Sequence, residues 1–402
     1  MAADKTGKNT HLEHIDDEII NNGTAGLKAA IQVIEVVAAM LENNTPQPFN
    51  VSTKWDGAPA IICGIDPVSK RFFVGTKGVF AKNPKLNFTN ADIDRNHPGE
   101  GLNVKLKIAL AELSKLGIQG VIQGDMMFTK SDLKKQVIED IEYITFQPNT
   151  IVYAVQSNSD LAKKIQAAKM GIVFHTKYNG SSLESMSASF NVDIASLKKT
   201  ADVWVTDPFV KDFRGTITLT KNESDAIKKL VKDIKATYKK VDKKMVDRIT
   251  TDDNLKLLLK TFNNAKIRLG EVITNPSQYT VEWFEWVTKR IQGEIDGLKR
   301  DESKAKKALE LMTLRGWVDE NRASLDAMYL CMKLIVDAKI LLLRPLGSLG
   351  GFSMFIRTDT GFKTTAPEGF VVSNQLSNKA VKLVDRLDFS RSNFLAAKEW
   401  TK

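Results

Sequence analysis

From about Glu184 to Arg344 the apolar residues of this chain recur at helical spacing, while on both sides of that stretch they gather in short runs divided by turn signals. Ile227, Leu230, Val231, Ile234, Tyr238, Val241 and Met245 share one helical face, and Trp283, Trp286, Val287, Ile291 and Ile295 share another. Between Pro208 and Pro345 only Pro276 interrupts. Ahead of the helical stretch, Ala58 to Ile65 and Arg71 to Gly75 flank Asp66-Pro-Val-Ser-Lys70 and read as a β-hairpin, with further strands at Gly120 to Met126, Thr150 to Val155 and Gly171 to Thr176. A helix from about Val104 to Leu116 precedes the first of these, and Gly26 to Leu41 carries a second amphipathic pattern, with Thr10 and Glu13 spaced as a capping box before it. Strand-like runs return at Phe352 to Arg357, Phe370 to Ser373 and Ala380 to Val384. The expectation is an α+β fold: one domain of antiparallel sheets with helices, made of residues 1–180 and 346–402, interrupted by a mainly helical insertion at 181–345.

Composition narrows the partner. With 402 residues the chain can bury a sizeable core, and 58 Lys and Arg against 48 Asp and Glu leave a net charge of +10, which favours a polyanionic partner such as nucleic acid. Cys63 and Cys331 are the two cysteines, too few for a disulfide framework or a cysteine-built zinc site. His11 and His14 have no further ligand evident beside them, and His175 inside a strand reads as structural. No run looks long enough to span a membrane, and Met1 to Lys8 is polar where a secretory signal would be apolar, so a cytoplasmic protein without a membrane partner is expected.

The sharpest local feature is Val51-Ser-Thr-Lys-Trp-Asp-Gly-Ala-Pro-Ala60, a lysine two residues before an Asp-Gly pair. Alone, such a tetrad is also an ordinary surface turn. Downstream in order come Gly75-Thr-Lys-Gly78, Gln123-Gly-Asp-Met-Met-Phe128, Gly171-Ile-Val-Phe-His-Thr176, Pro367-Glu-Gly-Phe-Val-Val372 and Ala380-Val-Lys-Leu-Val-Asp-Arg386. No G-x-x-x-x-G-K phosphate loop is present.

This ordered series resembles the covalent nucleotidyltransferases, the ATP-dependent polynucleotide ligases and mRNA capping enzymes, over about residues 50–180 and 350–395. The resemblance implies a ligase-type adenylation domain in which Lys54 attacks the α-phosphate of ATP, with Asp56 orienting the ribose or the lysine and Gly57 completing the motif. It further implies that Asp125 and Glu368 contact Mg²⁺ (or Mn²⁺) or the ribose, that Phe174 stacks on the base, and that Lys77, Lys382 and Arg386 hold the triphosphate. The chemistry is coherent with these residue types. A lysine amine is protonated at its ordinary pKa of about 10.4, so burial or neighbouring cations must make it nucleophilic. Phosphoryl transfer also needs a divalent cation, for which carboxylates are the ligands.

Within that superfamily the pattern is most similar to phage RNA ligases. Gly57 is followed by Ala58 and Pro59 where DNA ligases and capping enzymes usually continue into an Arg, and the stretch after Lys382 is too short for an OB-fold. The last motif departs from the usual K-x-K, since Val384 stands at its second lysine, leaving Arg386 or Lys379 to substitute. In the insertion, Lys221 to Arg248 carries nine Lys and one Arg against five acidic residues, either a solvated face or a phosphate-tracking surface. The implied function is an RNA ligase acting as a monomer through a lysyl-AMP. A DNA ligase, a nucleotidyltransferase acting on a protein or small molecule, and a non-catalytic nucleic-acid-binding protein that keeps the fold are the alternatives.

Overall fold

The computed structural model describes residues 12–42, 49–190, 192–208, 219–346, 352–359, 361–365, 367–374 and 380–387. In chain order its first half holds α1 (Glu18–Leu41), β1 (Phe49–Lys54), β2 (Ala60–Ile65), β3 (Phe72–Gly75), α2 (Asn90–Asn96), α3 (Glu100–Leu113) and β4 (Val121–Thr129). Next come β5 (Lys134–Ile138), β6 (Ile141–Phe146), β7 (Val152–Gln156), α4 (Asp160–Ala167), β8 (Met170–Asn179), β9 (Ser187–Ser189) and β10 (Val203–Thr206). Five helices follow, α5 (Lys221–Tyr238), α6 (Lys243–Thr251), α7 (Asp253–Leu269), α8 (Pro276–Gly297) and α9 (Asp301–Leu346), and then β11 (Ser353–Thr358), β12 (Gly361–Thr364), β13 (Gly369–Asn374) and β14 (Ala380–Val384).

The fold is mixed α+β, with three sheets and a helical body. One sheet runs β1-β13-β14, a second β10-β8-β4-β2-β3 with β9 beside β8, and a third β12-β11-β7-β6-β5. The pairings between these strands are antiparallel apart from β10 on β8, and a parallel bridge joins His14 to Lys382. Long-range pairing of β1 with β13 is what closes the molecule: Lys54 stands opposite Gly369, and Val371 on the other side of β13 stands opposite Lys382.

Local chemistry sets the helix ends. Thr220 and Glu223 form a reciprocal capping box at the start of α5. Asn275 caps α8 and Pro276 occupies its first turn, where a missing N–H costs nothing, so the proline marks a helix start. The helical body shares one core: Ile19, Leu27, Ile34 and Val37 of α1 pack with Ile227, Ile234, Met245, Trp283, Leu325 and Ile335. Val51, Phe370, Val372 and Leu383 bring one face of the β1-β13-β14 sheet into the same core. Each such fully buried side chain contributes about 1.5–3 kcal/mol of transfer free energy.

This packing corrects the expected boundaries. Helix α1 belongs with α5–α9, not with the first block of strands, and the six-stranded sheet continues through β9 and β10, so the helical segment begins at Lys221 among the described residues and not at 181. Glu13 lies outside any helix, its carbonyl accepting the Lys382 N–H at 3.0 Å, and α1 follows a short 3-10 turn at Ile15–Asp17; Thr10 and His11 lie outside the described residues. One helix, Ile15–Leu41, is long and apolar enough to cross a membrane, contrary to the sequence expectation, but more than half of that window is buried within the fold.

Candidate functional site

Between the β1-β13-β14 sheet and the concave face of β2, β4 and β8 lies a cavity of about 400 Å³, lined among others by Lys54, Lys77, Asp125, His175 and Lys382. The pleat decides who faces it. On β4, Gln123 and Asp125 point into the cavity while Ile122 and Met126 point to the core beneath α3. On β8, Val173 and His175 face the cavity while Ile172 and Phe174 face that same core.

Lys54 ends β1, its side chain 31% exposed, and its ammonium is ion-paired to the Glu368 carboxylate on the segment leading into β13. Burial pushes the Glu368 carboxyl above the ordinary glutamate range. Gly369, the next residue, is required by close approach: a Cβ there would sit 2.2 Å from the Leu383 carbonyl oxygen of β14. Lys382 projects from β14, and burial, followed by the charge of Lys54, lowers its pKa below that of a free lysine. Lys77 enters from the 3-10 turn Lys77–Phe80 after β3. Asp125 lies 3.6 Å from His175 Nε2, and the His175 Nδ1 is 2.8 Å from the Thr176 hydroxyl.

Five of the nine expected site residues do not line the cavity: Glu368, which is held on Lys54, and Asp56, Gly57, Phe174 and Arg386. Asp56 is buried, and its carboxylate accepts hydrogen bonds from Asn149 Nδ2 at 2.7 Å, Thr150 N at 2.7 Å and Ile151 N at 3.0 Å. With the Asp56 N–H donating to the Tyr153 hydroxyl at 2.8 Å, this residue pins the loop after Lys54 to β7 and the connection before it. Phe174 is fully buried on the far side of β8 and cannot stack on anything in the cavity. Arg386 is buried away from the cavity, donating to Asp16, Asp17 and Asn264, so it is no substitute for the missing lysine; Lys379 lies outside the described residues. Gly57 serves packing: a Cβ would lie 2.6 Å from the Asp125 Cβ and 2.8 Å from the Met127 sulfur.

Residues 9–398 match the model of a family of unknown function, DUF6267. The chain belongs to that family. No curated protein and no solved structure matches it. In this DUF6267 member β1, β4, β8 and β14 bring Lys54, Asp125, His175 and Lys382 to one cavity.

That geometry adds residues the sequence reading missed. Trp55, Gln123, His175, Tyr178 and Phe190 line the cavity, with the Tyr178 hydroxyl donating to Gln123 Oε1 at 2.6 Å. Gln123 was findable, since it alternates with Asp125 on one strand. Phe190 follows a short strand that carries little apolar signal. Among the described residues no cluster of three His, Cys, Asp or Glu could hold a metal by itself. Among the described residues the one carboxylate that lines the cavity is Asp125, and Glu368 is engaged by Lys54. This donor set fits Mg²⁺ or Mn²⁺ bound through one or two carboxylates plus substrate phosphates, not a dedicated cage.

Proposed function

We propose that this protein is a covalent nucleotidyltransferase of the polynucleotide-ligase type, with ATP as nucleotide donor and an RNA end as acceptor. The carrying observation is that Lys54, Lys77, Asp125 and Lys382, spread over the chain in the order of the ligase motifs, line one cavity with Glu368 held on Lys54. The pairing of β1 with β13, and of β13 with β14, puts Lys54 and Lys382 on one sheet, and a cavity of about 400 Å³ suits a nucleotide.

In the first step the Lys54 ammonium gives a proton to Glu368, whose burial makes it a better base than a free glutamate, and the freed amine nitrogen attacks the α-phosphorus, losing its second proton to solvent. An N–P bond forms, the P–O bond to the β-phosphate breaks, and pyrophosphate leaves with its charge held by Lys77 and Lys382. Asp125 would hold a divalent cation, which would supply charge neutralisation on the phosphates, while Glu368 keeps the Lys54 proton. The AMP then passes to a 5′-phosphate, and a 3′-hydroxyl displaces it to join the ends. The rings that a base can lie against are Trp55, His175, Tyr178 and Phe190. The basic face of α5 and α6 supports a polyanionic acceptor: Lys228, Lys229 and Lys235 are ion-paired, while Lys239, Lys240, Lys243 and Lys244 make no ion pair among the described residues.

The experiment is incubation with α-phosphate-radiolabelled ATP or GTP and Mg²⁺, a denaturing gel, and a chase with 5′-phosphorylated nicked RNA, single-stranded RNA or nicked DNA. Label from ATP that survives denaturation and is discharged by RNA is expected. Discharge by DNA alone makes the protein a DNA ligase, adduct that no polynucleotide discharges points to a protein or small-molecule acceptor, and no adduct leaves a nucleic-acid-binding protein.

Phe174→Leu is expected to cost about 1 kcal/mol of stability in a denaturant melt and to leave the KM for ATP unchanged, because the side chain faces the α3 core. His175→Ala raises that KM. Adduct formation should also fall at both pH extremes. As pH drops through the raised pKa of Glu368, the proton acceptor is lost. As pH rises through the lowered pKa of Lys382, its cation, present below that pKa, disappears before a free lysine would titrate. A pH profile of the KM for ATP should therefore show an alkaline rise that Lys382→Arg moves to higher pH.

A further inference from the structure

Asp16 and Asp17, in the turn before α1, meet two cations in the interior. Lys339 Nζ of α9 donates to Asp16 at 2.6 Å, and Arg386, two residues beyond β14, donates to Asp16 at 2.9 Å and to Asp17 at 3.1 Å. The second Arg386 nitrogen donates to Asn264 Oδ1 of α7 at 2.6 Å. Lys339 is 1% exposed, Asp17 3%, Asp16 4% and Arg386 8%. Two carboxylates and two cations balance, so the cluster tolerates burial only while every member keeps its partner; removing one partner of such a pair costs about 3–5 kcal/mol.

None of these side chains lines the nucleotide-sized cavity, yet they grip the strand that does. Arg386 lies four residues from Lys382, in the helical turn just past β14, and the Lys382 N–H is itself bonded to Glu13, whose carboxylate accepts from Lys260 of α7 at 2.9 Å. Thus α7, α9 and the N-terminal turn converge on the backbone that aims Lys382, and three independent polar contacts, through Lys260, Asn264 and Lys339, come from the helical body.

We propose that Asp16, Asp17, Lys339 and Arg386 are positioning residues through which the helical body sets the strand carrying Lys382. The helical segment is then a built-in wall brace of the cavity, and the arginine that sequence order assigned to phosphate is its keystone. As a role in catalysis this rests on the proposed function; as a statement about Lys382 it does not.

The test uses the full chain and reads both. Two variants disturb the cluster without touching the cavity: Asn264→Ala, which removes one acceptor from a half-buried position, and Asp16→Asn with Lys339→Met, which withdraws one ion pair together and leaves Arg386 balanced by Asp17. Each is treated with an amine-acetylating reagent, and the acetylation rate of every lysine is followed by peptide mass spectrometry beside a circular-dichroism check of folding. The Lys382 rate is expected to change by about fivefold or more in both variants, the coupling expected of groups in one network. Exposed Lys163 on α4 should be unchanged. An unchanged Lys382 rate in folded Asn264→Ala overturns the proposal, whatever the double variant does. Adenylate formation is measured in parallel: a parent chain that takes no nucleotide contradicts the proposed function alone, while a parent that takes it should show, in Asn264→Ala, a raised KM for ATP that adds nothing in a Lys382→Ala background.

Discussion

Lys54→Arg is expected to take up no nucleotide while folding as the parent chain does. The side chain lies at the end of β1, partly exposed, and the β1–β13 ladder beneath it is made of backbone hydrogen bonds that the substitution does not touch. Arginine keeps a cation against Glu368, so no buried carboxylate is stranded, but a guanidinium does not deprotonate and cannot attack phosphorus. Lys54→Ala should also lose all labelling, at a further cost of about 1–3 kcal/mol for leaving Glu368 without its partner. Denaturing gels for the adduct and thermal melts for the fold separate the two effects: a folded Lys54→Arg protein that still takes label would place the nucleophile elsewhere.

Gly369→Val should be the most damaging single change in the β1-β13-β14 sheet. Its Cβ would fall 2.2 Å from the Leu383 carbonyl oxygen, a backbone atom that cannot move without parting β13 from β14. The expected loss is about 3 kcal/mol or more in denaturant unfolding, at the upper end of overpacking effects. Because Glu368 precedes Gly369 and Lys382 sits across the same ladder, nucleotide uptake should vanish even where the fold persists. A control comes from Gly101 in the first turn of α3, where a Cβ would meet nothing within 4 Å. Gly101→Ala should leave activity intact and stabilise by up to about 1 kcal/mol. Equal damage at both positions would contradict this account of the Glu-Gly pair.

What the sequence made legible was what rests on local pattern. The β2–β3 hairpin and the strands around Asp125, Val173 and Lys382 all carry their own signals. The β5–β6 hairpin did not. Its strand Lys134–Ile138 is largely polar and exposed, and its turn places Glu139 and Asp140 at positive φ (49° and 62°), where the usual Asn-Gly signal is absent. Strand β1 has too little alternation to stand out, and it becomes a strand because β13, more than 300 residues later, offers the partner.

The candidate site was legible as an order of motifs but not as a set of directions. Whether Phe174 or His175 faces the cavity depends on the parity of β8 against β4, and register shifts along that pair break simple counting. Asp56 has the spacing of a site residue, but only the β6–β7 connection reveals that its carboxylate is already filled. Arg386 was read as a phosphate ligand because its partners, Asp16 and Asp17, lie 370 and 369 residues away. Pairings at such distance are set by packing of the helical body and leave no local trace.

The central claim is that Lys54 is the covalent nucleotide carrier. It is tested most directly by incubating the purified protein with ATP and Mg²⁺, digesting it, and locating the added AMP by tandem mass spectrometry. The account predicts an AMP on the peptide containing Lys54, joined through its Nζ and present at no other lysine of the cavity. AMP on Lys77 or Lys382 instead, or no AMP on protein first freed of any adenylate, would contradict it.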